Sequence, residues 1–177
     1  EAVYTTPPLE QELDLSGPVL ANLWVRTTAR DAAVTVRVTQ VAPDGASTEL
    51  STGWLAASFR AVDGSRSRVV DGQLLQPWHP FTRESVLPVV PGVPSELAVE
   101  VFPLRARIPA GHRLRVTVGP ADFPHQLPPA PALLGRLGGR VEVLTDPVHR
   151  SYVALPELGD CADGCPPLPV PELRRGG

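Results

Sequence analysis

The sequence predicts an all-β sandwich of about eight short strands joined by long proline-rich loops. Proline is the first observation: 22 of 177 residues, spread along the whole length. It fixes φ and removes a backbone donor, so every helix is cut short and central strands must avoid it. The second is a repeated period-two alternation of apolar and polar residues, the mark of a half-buried strand. The third is turn chemistry between the alternating segments.

Val34, Val36 and Val38 alternate with Thr35, Arg37 and Thr39, and Pro43-Asp44-Gly45 then supplies a turn. Ser47 to Leu55 follows as the returning strand. Upstream, Val19 to Thr28 reads as a strand entered through Ser16-Gly17-Pro18. Leu97, Val99 and Val101 form one further inward set, and Leu114, Val116 and Val118 another, with Pro109-Ala110-Gly111 between them. Val141 to Leu144 and Tyr152 to Leu155 add two shorter strands. Ala61 to Pro94 lacks clean alternation and reads as a long crossover. Ala121 to Gly139 is rich in proline, leucine and glycine, with room for one helical turn at Leu133 to Leu137. Residues 1–158 form one jelly-roll domain on this reading, and 159–177 a proline-rich tail.

Charge and composition exclude several classes. The net charge is −3 and all the positive charge is arginine, dispersed among acidic residues. No basic stripe is present, so nucleic acid is not an expected partner. No apolar run reaches the roughly 20 residues of a membrane span. The chain lacks methionine and begins at Glu1, which predicts a processed chain or a domain of a longer polypeptide. The arginine bias and the alanine, proline and valine richness fit a GC-rich bacterial genome; the compartment, cytoplasmic or secreted, is left open.

No complete catalytic or metal site is expected. No serine has glycines on both sides at the spacing of a nucleophile elbow. His79, His112, His125 and His149 are not spaced as helical zinc ligands. His112 falls in a turn, His125 follows Phe123-Pro124, and His149 and Ser151 flank Arg150 so that strand geometry points them apart. Trp78, His79 and Phe81 cluster in the crossover, where they either line a ligand-facing pocket or serve packing. Cys161 and Cys165 pair as a disulfide or stay as free thiols; further ligands for a metal are lacking nearby. The glycines 135, 138 and 139 lack the lysine and the preceding strand of a phosphate loop. No cofactor is implied.

Several stretches, in this order and spacing, carry a resemblance. Leu13-Asp14-Leu15-Ser16-Gly17-Pro18-Val19 resembles an opening strand with a Ser/Thr-Gly-Pro turn. Val41-Ala42-Pro43-Asp44-Gly45 resembles a recurrent hairpin, and Trp54-Leu55-Ala56-Ala57-Ser58-Phe59-Arg60 a strand reading G-x-L-R-A-S-x-R. His79-Pro80-Phe81-Thr82-Arg83 resembles the crossover of one acyl-esterase subgroup. Phe102-Pro103, then Pro109-Ala110-Gly111-His112-Arg113-Leu114-Arg115-Val116 and Asp122-Phe123-Pro124, form the most specific segment. Ser151 to Pro156 resembles a closing strand. Together, over about Tyr4 to Leu158, the chain resembles the C-terminal domain of the X-Pro dipeptidyl-peptidase and cocaine-esterase-like (CocE/NonD) hydrolases. Ala56 replaces that family's arginine, and Asp31-Ala32-Ala33-Val34 replaces its D-T-D-F.

The resemblance implies a galactose-binding-like jelly roll following an α/β-hydrolase domain that carries a serine, aspartate and histidine triad. This chain would then hold none of the triad. Its expected partner is that hydrolase domain, whose cleft for ester or X-Pro peptide bonds it would help wall, with contacts between copies also implied. The alternative reading is a free-standing module for carbohydrate or another ligand, with Trp78 as its platform and Trp24 and Trp54 in the core.

Overall fold

The computed structural model describes residues 1–70, 72–120 and 139–158. The strands are β1 (Ala2–Thr5), β2 (Leu13–Thr27), β3 (Ala33–Val41), β4 (Ser47–Ala56), β5 (Arg68–Val70), β6 (Gln73–Gln76), β7 (Ser95–Ile108), β8 (Arg113–Gly119), β9 (Val141–Leu144) and β10 (Tyr152–Ala154). Short 3-10 turns occupy Ala57–Phe59 and Arg83–Ser85. The main sheet runs β1-β8-β3-β4-β7-β2-β10, with β9 also pairing β2. Each of its ladders is antiparallel.

This sheet is folded over to make the sandwich. Strands β4 and β7 are paired only at Gly53 and Val101, and that corner joins the two layers. The sequence allows the close approach. A Cβ at position 53 would stand 2.2 Å from the Glu100 carbonyl oxygen and 2.6 Å from the Val101 Cα, so no side chain fits. Inward residues of one layer (Val34, Val36, Val38, Leu55) meet those of the other (Val19, Ala21, Leu23, Leu97, Val99, Val101) in one core. Burying a valine or leucine of this kind contributes roughly 1.5–3 kcal/mol.

Strand β2 begins earlier than the alternation suggests. Ser16-Gly17-Pro18 does not precede the strand but interrupts it, and the ladder with β7 shifts register between Gly17 and Val19. Pro18 sits in that irregularity and Pro103 lies opposite, between the paired residues Val101 and Leu104. Neither proline therefore breaks a regular ladder. The extra residue in β7 moves its buried positions from Leu97, Val99 and Val101 to Leu104 and Ile108.

Two expectations for the core are corrected. Trp54 is 38% exposed, and Trp24 is only half-buried. Ser51, Gly53 and Leu55 are the buried positions of β4, which turns Trp54 outward. Likewise Leu23 and Val25 face inward and Trp24 outward. The crossover also contains more structure than expected. Strands β5 and β6 pair as a small separate hairpin, and β1, also unanticipated, pairs with the edge of β8.

The crossover is closed at its base by residues of the Ala57-Ser58-Phe59-Arg60 stretch. Asp31 Oδ1 accepts from the Ser58 N–H at 3.0 Å, and its Oδ2 accepts from the Ser58 hydroxyl at 2.9 Å. The Leu87 N–H donates back to the Ser58 carbonyl at 2.9 Å. The Arg60 guanidinium donates to the carbonyls of Ala57, Leu87 and Pro88 at 2.9, 3.2 and 3.1 Å. Asp31, left behind by the reduced D-T-D-F pattern, thus still anchors the loop.

The expected helical turn at Leu133 to Leu137, His125, the Asp122-Phe123-Pro124 stretch, the cysteine pair Cys161 and Cys165, and the tail from 159 onward lie outside the described residues.

Candidate functional site

The crossover lies across the outer face of β2 and β7, and a cavity opens on each side of it. The larger, about 920 Å³, runs between the crossover and the outward residues Asn22, Trp24, Glu96 and Tyr152. Register explains the grouping. Tyr152 pairs with Asn22, and Trp24 with Glu96, so all four project from the same face. The Asn22 amide donates to Glu96 Oε1 at 2.9 Å. Arg60 contributes to the wall, but its guanidinium is occupied by backbone carbonyls.

The smaller cavity, about 400 Å³, lies on the β4 side of the crossover. Trp54 from β4, Phe102 and Glu100 from β7, and Trp78 and Phe81 from the crossover surround it. Trp54 and Phe102 meet edge to face at 5.4 Å, close to the value expected of favourable aromatic pairs. Phe81 has φ +53°, a left-handed conformation that costs a bulky residue energy. It leaves the ring 61% exposed, in contact with Phe59 and His79. Trp78 carries the Arg66 guanidinium 4.0 Å above its ring, a cation–π distance.

The structure therefore brings Trp78, His79 and Phe81 to one cavity wall. His79 differs from its neighbours in being 7% exposed. Its Nδ1 faces the Ala61 carbonyl at 2.9 Å and its Nε2 the Ala98 carbonyl at 2.8 Å. The reason lies in the sheet. Beyond the Gly53–Val101 corner no strand of the described residues pairs with β7 on its β4 side, and the imidazole takes the place of a ladder partner at Ala98. Both acceptors are carbonyls, which only accept. An imidazole N–H can be directed at either of them, and the tautomer decides which. His79 thus pins the crossover at both its start and its middle to the sheet.

The remaining histidines of the described residues are also engaged. The Gln40 amide donates to His112 Nδ1 at 2.8 Å in the turn between β7 and β8. His149 Nδ1 lies 3.0 Å from Asp146 Oδ2, and its ring stands 4.9 Å from that of Trp24. The His149 contact, with a backbone bond from the same residue, holds the Asp146 carboxyl below its ordinary value. Ser151 is near in sequence, yet its hydroxyl donates to the Leu144 carbonyl at 2.6 Å and accepts from the Trp24 N–H at 2.9 Å. The Ser151 hydroxyl is therefore engaged away from Asp146 and His149. Among the described residues no three His, Cys, Asp or Glu side chains group to hold a metal. No helix among them is long and apolar enough to cross a membrane.

Of the pocket residues, the sequence places Trp54 in the core and brings in Phe102 only within a family motif, and none of Trp54, Glu100 and Phe102 is assigned to a site from it. Their signal was present, because all three stand in the outward phase of their strands; nothing local says that the crossover returns beside them.

Comparison with known proteins fits this architecture. Residues 1–154 match the X-Pro dipeptidyl-peptidase C-terminal non-catalytic domain. A Mycobacterium bovis protein named as a serine esterase is 28% identical over 159 residues, which is 88% of this chain and 23% of that protein. A CocE/NonD family hydrolase from Staphylococcus aureus has the same fold, with a TM-score of 0.73 at 19% identity, covering 89% of this chain and 30% of that one. An α-amino acid ester hydrolase gives a TM-score of 0.66 at 18% identity, covering 88% and 25%. The chain thus spans about a quarter of the length of the curated relatives it matches. Sandwich, crossover and matched span agree: the chain belongs to the X-Pro dipeptidyl-peptidase C-terminal non-catalytic domain family.

Proposed function

We propose that this chain is the accessory β-sandwich of a serine acyl hydrolase. An α/β-hydrolase domain of the same polypeptide would supply the nucleophile for ester or X-Pro peptide hydrolysis. The sandwich would pack against it, with the larger groove helping to wall the substrate cleft, and would contribute to contacts between copies. The observation that carries this reading is the groove itself. It is an open cavity of about 920 Å³ with Trp24 and Tyr152 on its walls. Among its polar groups, Asn22, Glu96 and Arg60 are tied to each other or to backbone. Such a surface can shape a cleft wall through its rings and fixed polar groups.

The test uses a fluorophosphonate probe and two substrates, a p-nitrophenyl ester and Gly-Pro-p-nitroanilide. The isolated 177-residue chain should be neither labelled nor active. The polypeptide that contains it should be labelled outside this chain, and Trp24→Ala with Tyr152→Ala should change KM more than kcat. Turnover by the isolated chain would refute the proposal.

A further inference from the structure

The smaller cavity has a chemistry that packing on a hydrolase domain does not require. We infer that the pocket between β4, β7 and the crossover is a binding site for a small organic cation. Its ammonium or guanidinium head would sit at the Glu100 carboxylate, and its apolar body against Trp54, Trp78, Phe81 and Phe102.

Four observations carry this. The cavity of about 400 Å³ has the size of a small-molecule site. Its walls are aromatic rings contributed by three separate elements, and large rings of this kind are held out of the core. Trp54 is 38%, Trp78 43%, Phe102 56% and Phe81 61% exposed. Phe81 is displayed through a left-handed backbone, and strain of this type is retained where the surrounding structure demands it, commonly at ligand clamps. Glu100 supplies the charge. Its carboxylate accepts from the neutral Gln76 amide at 3.2 Å, and no cation of the described residues forms an ion pair with it.

The same residues argue against a sugar. Carbohydrate recognition needs several directed polar groups around an aromatic platform. Here, besides the two indole N–H groups, the polar side chains on the wall are Glu100 and His79, and both His79 nitrogens face backbone carbonyls within hydrogen-bond distance. One carboxylate and several π-faces suit a single positive head on an apolar body. Trp78 already accepts a guanidinium, that of Arg66, at 4.0 Å, so a cation at these rings has a precedent within the chain.

The experiment is a titration of the 177-residue chain with phenethyltrimethylammonium and, in parallel, with its uncharged isostere 3,3-dimethylbutylbenzene. The readout is the three tryptophan indole N–H resonances. The indoles of Trp54 and Trp78 should shift saturably with the cation while that of Trp24, in the other cavity, stays in place. Glu100→Gln should weaken binding at least fivefold, with unchanged spectra elsewhere showing that the fold is intact. Raised salt should weaken the wild-type interaction and leave the glutamine variant nearly unaffected. Equal binding of cation and isostere, equal shifts at all three indoles, or no saturable shift would each overturn the inference. None of these outcomes bears on whether the chain belongs beside a hydrolase domain, which the activity measurements above decide separately.

Discussion

The sandwich core and the crossover are built on opposite principles. The core is held by apolar side chains that alternate along strands, and Leu97, Val36, Val38, Val99 and Val101 are wholly buried. The crossover has little apolar interior of its own. It is closed by Arg60, by Ser58 on Asp31, and by His79 between two carbonyls. A further knot lies near its start. The Asp63 N–H donates to the Trp78 carbonyl at 2.8 Å, and the Ser67 hydroxyl accepts from the Trp78 N–H at 2.9 Å. Apolar packing is non-directional and tolerates substitution by similar volumes. A clamp of hydrogen bonds fixes one geometry and fails when one partner is removed. The lesson is that the part presenting the two cavities is positioned by polar contacts, while the core serves as its support.

Breaking the corner between the layers should have the largest effect. Gly53→Val puts side-chain atoms into the backbone of Glu100 and Val101, and a loss of about 4 kcal/mol, or failure to fold, is expected by urea denaturation. Leu97→Ala should cost about 3 kcal/mol and lower the whole unfolding transition, because it opens a cavity in the shared core. His79→Leu removes the ring from between the Ala61 and Ala98 carbonyls and should cost about 2 kcal/mol. The contrast with Leu97→Ala is in where the damage appears. By hydrogen exchange His79→Leu should loosen residues 61–94 and leave β2 and β8 protected, whereas equal loosening of all strands would erase the distinction between core and crossover.

The smallest expected effect concerns the loop before β10. The depressed Asp146 carboxyl lies chiefly beside His149. A group whose folded value is lowered stabilises the fold above its ordinary value, and that contribution disappears as pH falls through the lowered value. Asp146→Asn should therefore remove the carboxylate's titration from the loop resonances on the acidic side of the ordinary carboxylate range. Stability near neutral pH should fall slightly, since the residue is exposed. Unchanged titration of those resonances on the acidic side would reject this assignment.

What could be read from the sequence follows the same division. Val34, Val36 and Val38 and the Pro43-Asp44-Gly45 turn announce β3 and its return, because a strand's burial is written at every second position. Leu97, Val99 and Val101 do the same for β7. Trp54 was placed in the core because the true inward positions beside it, Ser51 and Gly53, are small and carry no apolar signal. Pro18 looked like an entrance to β2 because a proline inside a strand is allowed only at an irregularity, and that depends on Pro103 across the ladder. The family resemblance identified Ser58, Arg60 and Ser151 as parts of motifs, but not what they do. Their partners, Asp31, Leu87, Pro88, Trp24 and Leu144, are brought together only by the finished fold. The cavity formed by Trp54, Glu100 and Phe102 with the crossover was hidden for the same reason.

The long ladder between β2 and β7 has a consequence for how the molecule is made. Asn22 and Glu96, bonded across it, are 74 residues apart. As the chain leaves the ribosome, β2 emerges well before the segment that will lie beside it. The β3–β4 hairpin, closed by a local turn, can assemble in the meantime, but β2 must wait with its amides unpaired and its valines and leucines uncovered. Nascent chains halted before residue 95 should accordingly be the aggregation-prone species, and the rate of productive folding should be set by the arrival of β7.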